Sequence, residues 1–513
     1  MDAGPLSAEA VAAVRAGYAF DAPAIEMGAL VNGEALADVP VRIPISMINR
    51  HGLVAGATGT GKTTTLQMFA EQLSAAGVPV FAADVKGDLS GIATPGEPSD
   101  RLRERSRGIG QPWVSTATPT EFFTLGGLGG GIPVRASVAG FGPVLLAKVL
   151  GLNATQESSL ALVFHYARAA ALPLIDLGDL RAVLTHLVSD AGKAELAGLG
   201  GLSKATAGVI LRELITFADQ GADVFFGEPA IDTADFLRVT ADGRGVVSLL
   251  ELPRVHDQPA LFSTFLMWLL AELHRTLPEV GDVPAPKLVF FFDEAHLLFR
   301  DASKDFLTVV TQTVRLIRSK GVGVFFVTQT PKDVPGDVLA QLGSRVQHQL
   351  RAHTPDDARA LKATVSTYPN SGYDLGDVLM TLPTGEAIVT VMNERGAPSP
   401  VAWTRLRAPQ GAMAPTPPER IAAIVSSSTL RARYGAIARR ESAHDLLAAR
   451  TAAPAGAVTS DRGAPDPEPR RARTAPDTDR PSSSSPERRT AAGRTRRGSL
   501  ARLIVEKLFG RVG

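Results

Sequence analysis

The stretch HGLVAGATGTGKT, residues 51–63, decides the fold of this chain of 513 residues. Its first five residues form a short apolar run, and the next eight match the pattern G-x-x-x-x-G-K-[ST]. That pattern requires a strand before the loop and a helix after it, so we predict a strand over 51–55 and a helix over 62–76. The glycines let successive amide N–H groups surround a phosphate, and the helix N-terminus adds partial positive charge.

The residue types in this loop predict the binding and hydrolysis of ATP together with Mg²⁺. Lys62 is expected to reach the β- and γ-phosphates, and Thr63 offers a hydroxyl ligand to the metal. The residues predicted to hold the nucleotide are Gly56, Ala57, Thr58, Gly59, Thr60, Gly61, Lys62, Thr63 and Thr64.

A second motif, LVFFFDE over residues 288–294, places two acids at the end of an apolar run. Ligands of open α/β sheets bind at the carboxyl ends of the strands. We expect Asp293 to hold Mg²⁺ through its water shell and Glu294 to orient and deprotonate the attacking water. A strand end capped by solvated acids is the alternative, and the presence of the phosphate loop argues against it.

Two further strand ends carry polar residues. Gln329 follows the run 323–328 and is a candidate to sense the γ-phosphate or to position water, although a simple polar cap is a serious alternative. Asp84 follows the run 78–83, where a role in the metal site and a role in fixing the loop are equally open.

Buried apolar runs alternate with helical patterns along most of the chain, which is typical of a doubly wound parallel sheet. We predict an α/β fold with a mostly parallel, twisted sheet over 49–407. A helix and a small leading β segment precede it over 1–48. A mostly helical insertion interrupts it at about 141–245.

The composition changes after residue 407. Residues 409–418 read as a linker within a C-terminal unit, 408–450, that carries helices. Residues 451–499 are rich in Pro, Ser, Arg and Ala with almost no large apolar residues, so we predict a disordered linker. The last segment, 500–513, has the pattern of a short amphipathic basic helix.

The overall composition excludes several classes of function. There is no cysteine, which removes disulfides, thiolate catalysis and Cys-ligated metals, and the 53 basic residues nearly balance the 52 acidic ones. A global basic field for nucleic acid is therefore missing, and any such contact has to be local. No signal peptide or membrane-spanning run is recognisable, so a cytoplasmic location is expected.

The segments 51–63, 84–91, 292–299 and 343–352 together resemble the HerA-like ATPases of the HerA–FtsK superfamily, and its YjgR-like branch in particular. The resemblance implies a RecA-like core and hexameric rings with ATP bound between subunits. By motif position, Lys62, Thr63, Asp293, Glu294 and Gln329 correspond to the family's ATP site.

The resemblance also selects candidate arginines for catalysis. Arg345 matches the place where superfamily members present an arginine to the neighbouring subunit. Arg315 and Arg318 lie three residues apart, on the helix that bears another catalytic arginine in HerA, and the spacing permits either of them.

The substrate on which the ATPase acts is left open by the sequence. Several relatives move along double-stranded DNA, which makes it a candidate partner. The leading β segment is shorter than the HerA barrel, so a nuclease partner is uncertain. The Arg-rich tail could bind nucleic acid or an acidic partner. An ATPase that remodels a protein is the alternative, whereas Glu294 argues against a scaffold without turnover.

Overall fold

The computed structural model describes residues 5–196, 198–252, 259–299, 304–393 and 395–452. Its strands are β1 (Ala24–Asn32), β2 (Glu34–Pro44), β3 (Gly52–Ala55), β4 (Val80–Asp84), β5 (Thr120–Leu125), β6 (Ile132–Val134), β7 (Val247–Glu251), β8 (Leu288–Phe292), β9 (Val322–Thr328), β10 (Ser344–Gln347), β11 (Glu386–Thr390) and β12 (Ala402–Leu406). Its helices are α1 (Ala8–Gly17), α2 (Lys62–Ala75), α3 (Asp100–Gly108), α4 (Val138–Phe141), α5 (Pro143–Val149), α6 (Ala154–Ala169), α7 (Leu177–Leu187), α8 (Asp190–Glu195), α9 (Lys204–Asp219), α10 (Pro259–Thr276), α11 (His296–Phe299), α12 (Lys304–Ile317), α13 (Gly336–Leu339), α14 (Pro355–Val365), α15 (Leu375–Thr381), α16 (Pro418–Ser427), α17 (Thr429–Tyr434) and α18 (Ala443–Ala452).

All of these strands belong to one sheet of 12 strands in the order β2-β1-β12-β11-β10-β3-β9-β8-β4-β7-β5-β6. The eight strands from β10 to β6 are parallel to their neighbours, and the four at the other side are antiparallel. The predicted α/β fold with a mostly parallel sheet is confirmed.

The central strands are apolar throughout because both of their faces are covered. Every residue of β8 and β9 is buried, which is the expected pattern for parallel strands between helical layers. The ring of Phe69 on α2 lies 6.0 Å from that of Phe291 and 5.4 Å from that of Phe325. These rings fix the helix that follows the phosphate loop onto the sheet.

The leading strands β1 and β2 continue the main sheet, where the sequence suggested a small sheet of their own. β1 pairs with β12, with Gly28 opposite Leu406. A Cβ on Gly28 would lie 1.9 Å from the carbonyl oxygen of Arg405, and its φ is 149°. Glycine is therefore required where the N-terminal hairpin joins the antiparallel edge.

The interval between β6 and β7 holds the helices α4 to α9, where we predicted a mostly helical insertion. The C-terminal helix α18 packs on it: the His444 N–H donates to Asp179 Oδ1 at 2.9 Å. The N–H of Ala443 donates to the Pro173 carbonyl oxygen, also at 2.9 Å. The end of the described chain thus returns to the insertion.

The segment 409–418, predicted as a linker, is docked on α2. The buried carboxylate of Glu71 accepts the N–H groups of Gln410 at 2.6 Å and Gly411 at 2.8 Å. The Thr416 hydroxyl donates to the Ser90 carbonyl oxygen at 2.6 Å. Its proline content was misleading because a buried helix side chain supplies the partners that solvent would otherwise give.

Of the disordered linker predicted over 451–499, Thr451 and Ala452 belong to α18, and the rest lies outside the described residues, as does the predicted terminal helix over 500–513. Among the helices of the described part, none is long and apolar enough to cross a membrane.

Candidate functional site

Four strand ends meet at one edge of the sheet. The adjacent parallel strands β3, β9, β8 and β4 are followed by the phosphate loop, by Gln329, by Asp293 and Glu294, and by the loop after Asp84. In register, Ala55 lies opposite Thr328, and Phe292 lies opposite both Phe326 and Ala83. The motifs quoted from separate parts of the sequence therefore converge at this carboxyl edge.

The phosphate loop bends at three glycines, with φ of 158° at Gly56, 82° at Gly59 and 107° at Gly61. The buried Lys62 ammonium donates to the carbonyl oxygens of Gly56 at 2.7 Å and Ala57 at 3.2 Å. Its burial lowers the pKa of Lys62, and the charges of Glu294 and Asp293 oppose that shift. The lysine, the loop and both acids therefore share one electrostatic environment.

The remaining predicted loop residues differ in exposure. Thr60 is buried, and its hydroxyl donates to the Ala57 carbonyl oxygen at 2.7 Å. Thr63 and Thr64 are half-buried in the first turn of α2. Thr58 is exposed at the mouth of a cavity of about 250 Å³.

A buried histidine, which the sequence did not single out, lies beneath the loop. His348 follows β10, and its Nε2 lies 2.9 Å from the Thr65 hydroxyl oxygen. Burial, with the nearby Lys62 charge, lowers the pKa of His348 to about 4, so the ring is neutral at pH 7. A Cβ on Gly56 would lie 2.4 Å from the Cβ of His348, so the loop rests directly on this residue.

The two acids after β8 have different environments. Burial, together with the charge of Glu294, raises the pKa of Asp293 to about 6. Burial alone would raise the pKa of Glu294 too, but the hydrogen bond and charge of Lys86 outweigh it and lower that pKa below its ordinary value. Both carboxyl groups are buried, and Glu294 pairs with the Lys86 ammonium.

Asp84 fixes the loop that carries Lys86. Its carboxylate accepts the N–H groups of Lys86 at 3.2 Å, Gly87 at 2.7 Å and Leu89 at 2.9 Å. Of the two roles left open for Asp84, these contacts favour the fixing of the loop.

Gln329 is exposed beside the phosphate loop and lines the cavity of about 250 Å³ with Ala57 and Thr58. Arg351 lines the same cavity, and its Nη2 donates to the Thr58 carbonyl oxygen at 3.4 Å. Gln329 and Arg351 thus lie beside the phosphate loop, and the role of Gln329 in sensing a terminal phosphate stays a prediction.

The other candidate arginines lie elsewhere. Arg345 is half-buried on β10 and donates to the Thr367 hydroxyl at 2.6 Å. Arg318 lies before the amino end of β9 and pairs with Asp282 at 3.3 Å, and Arg315 is exposed one turn earlier. The seven residues of β9 separate them from the carboxyl edge by about 20 Å. Within one chain, Arg315 and Arg318 do not reach the phosphate loop.

Two residues at this edge, Lys86 and His348, were not predicted as site residues from the sequence. Lys86 lies in the segment 84–91, which the sequence did mark as part of the site, but the predicted role in that segment was given to Asp84. His348 sits in a buried run and carried no motif of its own.

These features define the class of protein: a P-loop NTPase fold, with a phosphate loop between strand and helix and an acid pair at the end of a nearby parallel strand. Residues 30–510 match the helicase HerA-like C-terminal family. The chain belongs to that family, and the suggested HerA relationship is confirmed.

Relatives and solved structures agree with this placement. The chain is 23% identical over 381 residues to the DNA double-strand break repair helicase HerA of Sulfurisphaera tokodaii, covering 72% of this chain and 67% of that protein. It is 31% identical over 150 residues to a probable helicase of Methanocaldococcus jannaschii, 28% of each chain. The plasmid coupling protein TrwB in complex with an ATP analogue is similar in fold, with a TM-score of 0.52, 17% identity and coverage of 81% and 95%.

The contact between His348 and the loop predicts that Gly56→Ala abolishes nucleotide binding, because the new Cβ has to displace a buried side chain. Gly59→Ala is the matched control. Its φ of 82° is also strained for alanine, at a cost of about 1–2 kcal/mol, but nothing lies within 4 Å of the added Cβ. Titration with a fluorescent ATP analogue measures both variants, and equal losses would contradict the steric role of His348.

Proposed function

We propose that this protein is an ATPase whose site lies at the carboxyl edge of the parallel sheet. The observation that carries the proposal is the convergence of Lys62, Asp293 and Glu294 at this edge of the sheet. The three residues come from two distant motifs, and the charges of both acids affect the pKa of Lys62. A lone glycine-rich turn would need no such acids beside it. Family membership supports the same reading.

The residues present fit a nucleotide with Mg²⁺. Asp293 is a buried carboxyl that accepts the Glu294 N–H at 2.9 Å, and burial together with the charge of Glu294 raises its pKa to about 6. Thr63 and Asp293 would hold the metal, since hydroxyl and carboxylate oxygens suit it. When bound, Mg²⁺ neutralises charge on the phosphates and so assists transfer of the terminal phosphoryl group. The TrwB structure with ADP and Mg²⁺, with a TM-score of 0.50, documents such binding for that protein.

The chain's own residues have separate tasks in hydrolysis. The loop amides and Lys62 bind and orient the phosphates, and water attack requires a base, for which Glu294 is the candidate. Gln329, exposed at the adjacent strand end, is suited to position the water or to report the terminal phosphate.

We propose further that the ATPase works as a ring, with double-stranded DNA as its substrate. The HerA relative is, by its description, a DNA double-strand break repair helicase, and its alignment at 23% identity covers 72% of this chain. A catalytic role for Arg315 or Arg318 would require a shared site, because only another subunit could bring either arginine to the phosphates. Arg345 would act in the same way across the interface.

Glu294→Gln should preserve ATP binding but lower kcat by about 10²–10⁴-fold, because an amide cannot accept the proton of the attacking water. Lys62→Ala is the companion variant and should lose nucleotide binding itself. Phosphate release and binding of an ATP analogue measure the two effects. Turnover by Glu294→Gln at the normal rate would refute the role of Glu294.

Arg345→Ala should lower hydrolysis without loss of ATP binding, and mixing it with Lys62→Ala should restore part of the activity. Mixed rings contain sites that combine an intact Lys62 with an intact Arg345 from a neighbour. Arg359→Ala, which removes an exposed arginine paired with Asp356, is the control and should remain active alone. Mixtures no more active than their components would leave Arg345 a structural residue.

Double-stranded DNA should stimulate ATP hydrolysis, and the stimulation should fall steeply as salt rises, because counterion release drives such contacts. The assay compares phosphate release by the full chain with and without DNA from low to physiological salt. Hydrolysis that DNA does not change even at low salt would favour the remodelling of a protein partner.

A further inference from the structure

One oxygen of the Glu294 carboxylate, Oε1, pairs with a cation, whereas Oε2 is buried without a hydrogen-bond partner among the described residues. The Lys86 ammonium pairs with Oε1, and His296 Nδ1 lies 3.2 Å from Oε2. Only 4% of the Glu294 side chain is exposed, compared with 42% of Lys86. The proposed base is therefore enclosed, whereas its cationic partner is free to leave toward solvent.

The backbone around this pair is fixed on both sides. β4 and β8 are paired neighbours, with Ala83 opposite Phe292, and three N–H bonds to Asp84 hold the loop of Lys86. Glu294 has a φ of 49°, a left-handed conformation that costs a non-glycine residue on the order of 1–3 kcal/mol. The ion pair thus joins a residue in a strained backbone conformation to a loop that three backbone N–H bonds to Asp84 fix in place.

Lys86, in the loop after β4, emerges at the same carboxyl edge of the sheet as the phosphate loop. Its charge acts on Lys62, which the phosphate loop holds over its own carbonyl oxygens. Glu294 Oε1 and the anionic phosphates would compete for the Lys86 ammonium. Binding of a nucleotide would therefore weaken the pairing of Lys86 with Glu294.

We propose that Lys86 is a positioning residue that latches Glu294 in the nucleotide-free state and releases it when nucleotide binds. This latch rests on the proposed ATPase function, since it assigns Glu294 a task only in that reaction. The pairing keeps Glu294 from accepting a proton until phosphates are bound. Hydrolysis thus depends on a nucleotide in the phosphate loop.

A double-mutant cycle on nucleotide affinity tests the latch. Dissociation constants of a non-hydrolysable ATP analogue with Mg²⁺ are measured for the full-length protein, Lys86→Met, Glu294→Gln and the double variant. Lys86→Met removes a positive charge in both backgrounds, but only with Glu294 present does it also remove an ion pair that binding has to break. We therefore expect Lys86→Met to raise the dissociation constant less in the protein that contains Glu294 than in the Glu294→Gln background. The expected difference between the two effects is about fivefold.

Two further variants make the outcome specific. Lys86→Arg should restore the wild-type behaviour, because a guanidinium can pair with the same carboxylate. Lys362→Met removes an exposed positive charge from α14 and should show the same effect on affinity in both backgrounds. Lys86→Gln repeats the cycle with a polar side chain in case methionine disturbs folding.

Equal effects of Lys86→Met and Lys86→Gln in both backgrounds would overturn the latch, because the ion pair would then persist in the bound state. That result leaves the proposed ATPase intact as long as the unaltered protein binds the analogue. No binding by the unaltered protein would instead overturn the ATPase and the latch together.

Discussion

The parallel pairing of β3, β9, β8 and β4 is the constraint on which the site depends. Because these strands run in one direction and lie side by side, the residues that follow them emerge at one edge. Both faces of β8 and β9 are buried, so the polar groups that follow these strands gather at their ends, where Asp293 and Glu294 are themselves buried. The register brings the loop, the acid pair and the loop of Lys86 together although about 230 residues separate the phosphate loop from the acid pair along the chain.

The same constraint explains what the sequence could predict. Apolar runs with polar ends identify the parallel strands, and the loop pattern specifies its flanking strand and helix, so the α/β class and the candidate edge followed from the residues alone. The pairing of Lys86 with Glu294 and of His348 with Thr65 did not, because each joins residues far apart in the sequence. No periodicity or motif encodes which side chain on one strand end reaches the next strand.

The sequence pattern also did not predict how the N-terminal strands and the C-terminal segment join the main sheet and its helices. An alternating run predicts a strand but not the edge it joins, and the close approach at Gly28 is visible only with β12 in place. Glu71 reads as a solvated acid on a helix, yet it is buried and binds two backbone amides of the segment 409–418. Burial raises its pKa and those bonds oppose the rise, so the charged form depends on the docked segment.

The cationic side chains near the site fall into two groups, one beside the phosphate loop and one at the opposite edge of the sheet. Lys62, Lys86 and Arg351 lie at the same edge of the sheet as the phosphate loop of their own subunit, and Arg351 contacts that loop at Thr58. Arg315 and Arg318 stand at the other edge of the same sheet, and a central strand held on both sides cannot bend to bring them over. A catalytic role for either therefore requires a second copy of the chain. In the proposed ring, the latch on Glu294 would respond to nucleotide in one subunit while the arginine would report on its neighbour, so that occupancy and assembly have to coincide before hydrolysis proceeds.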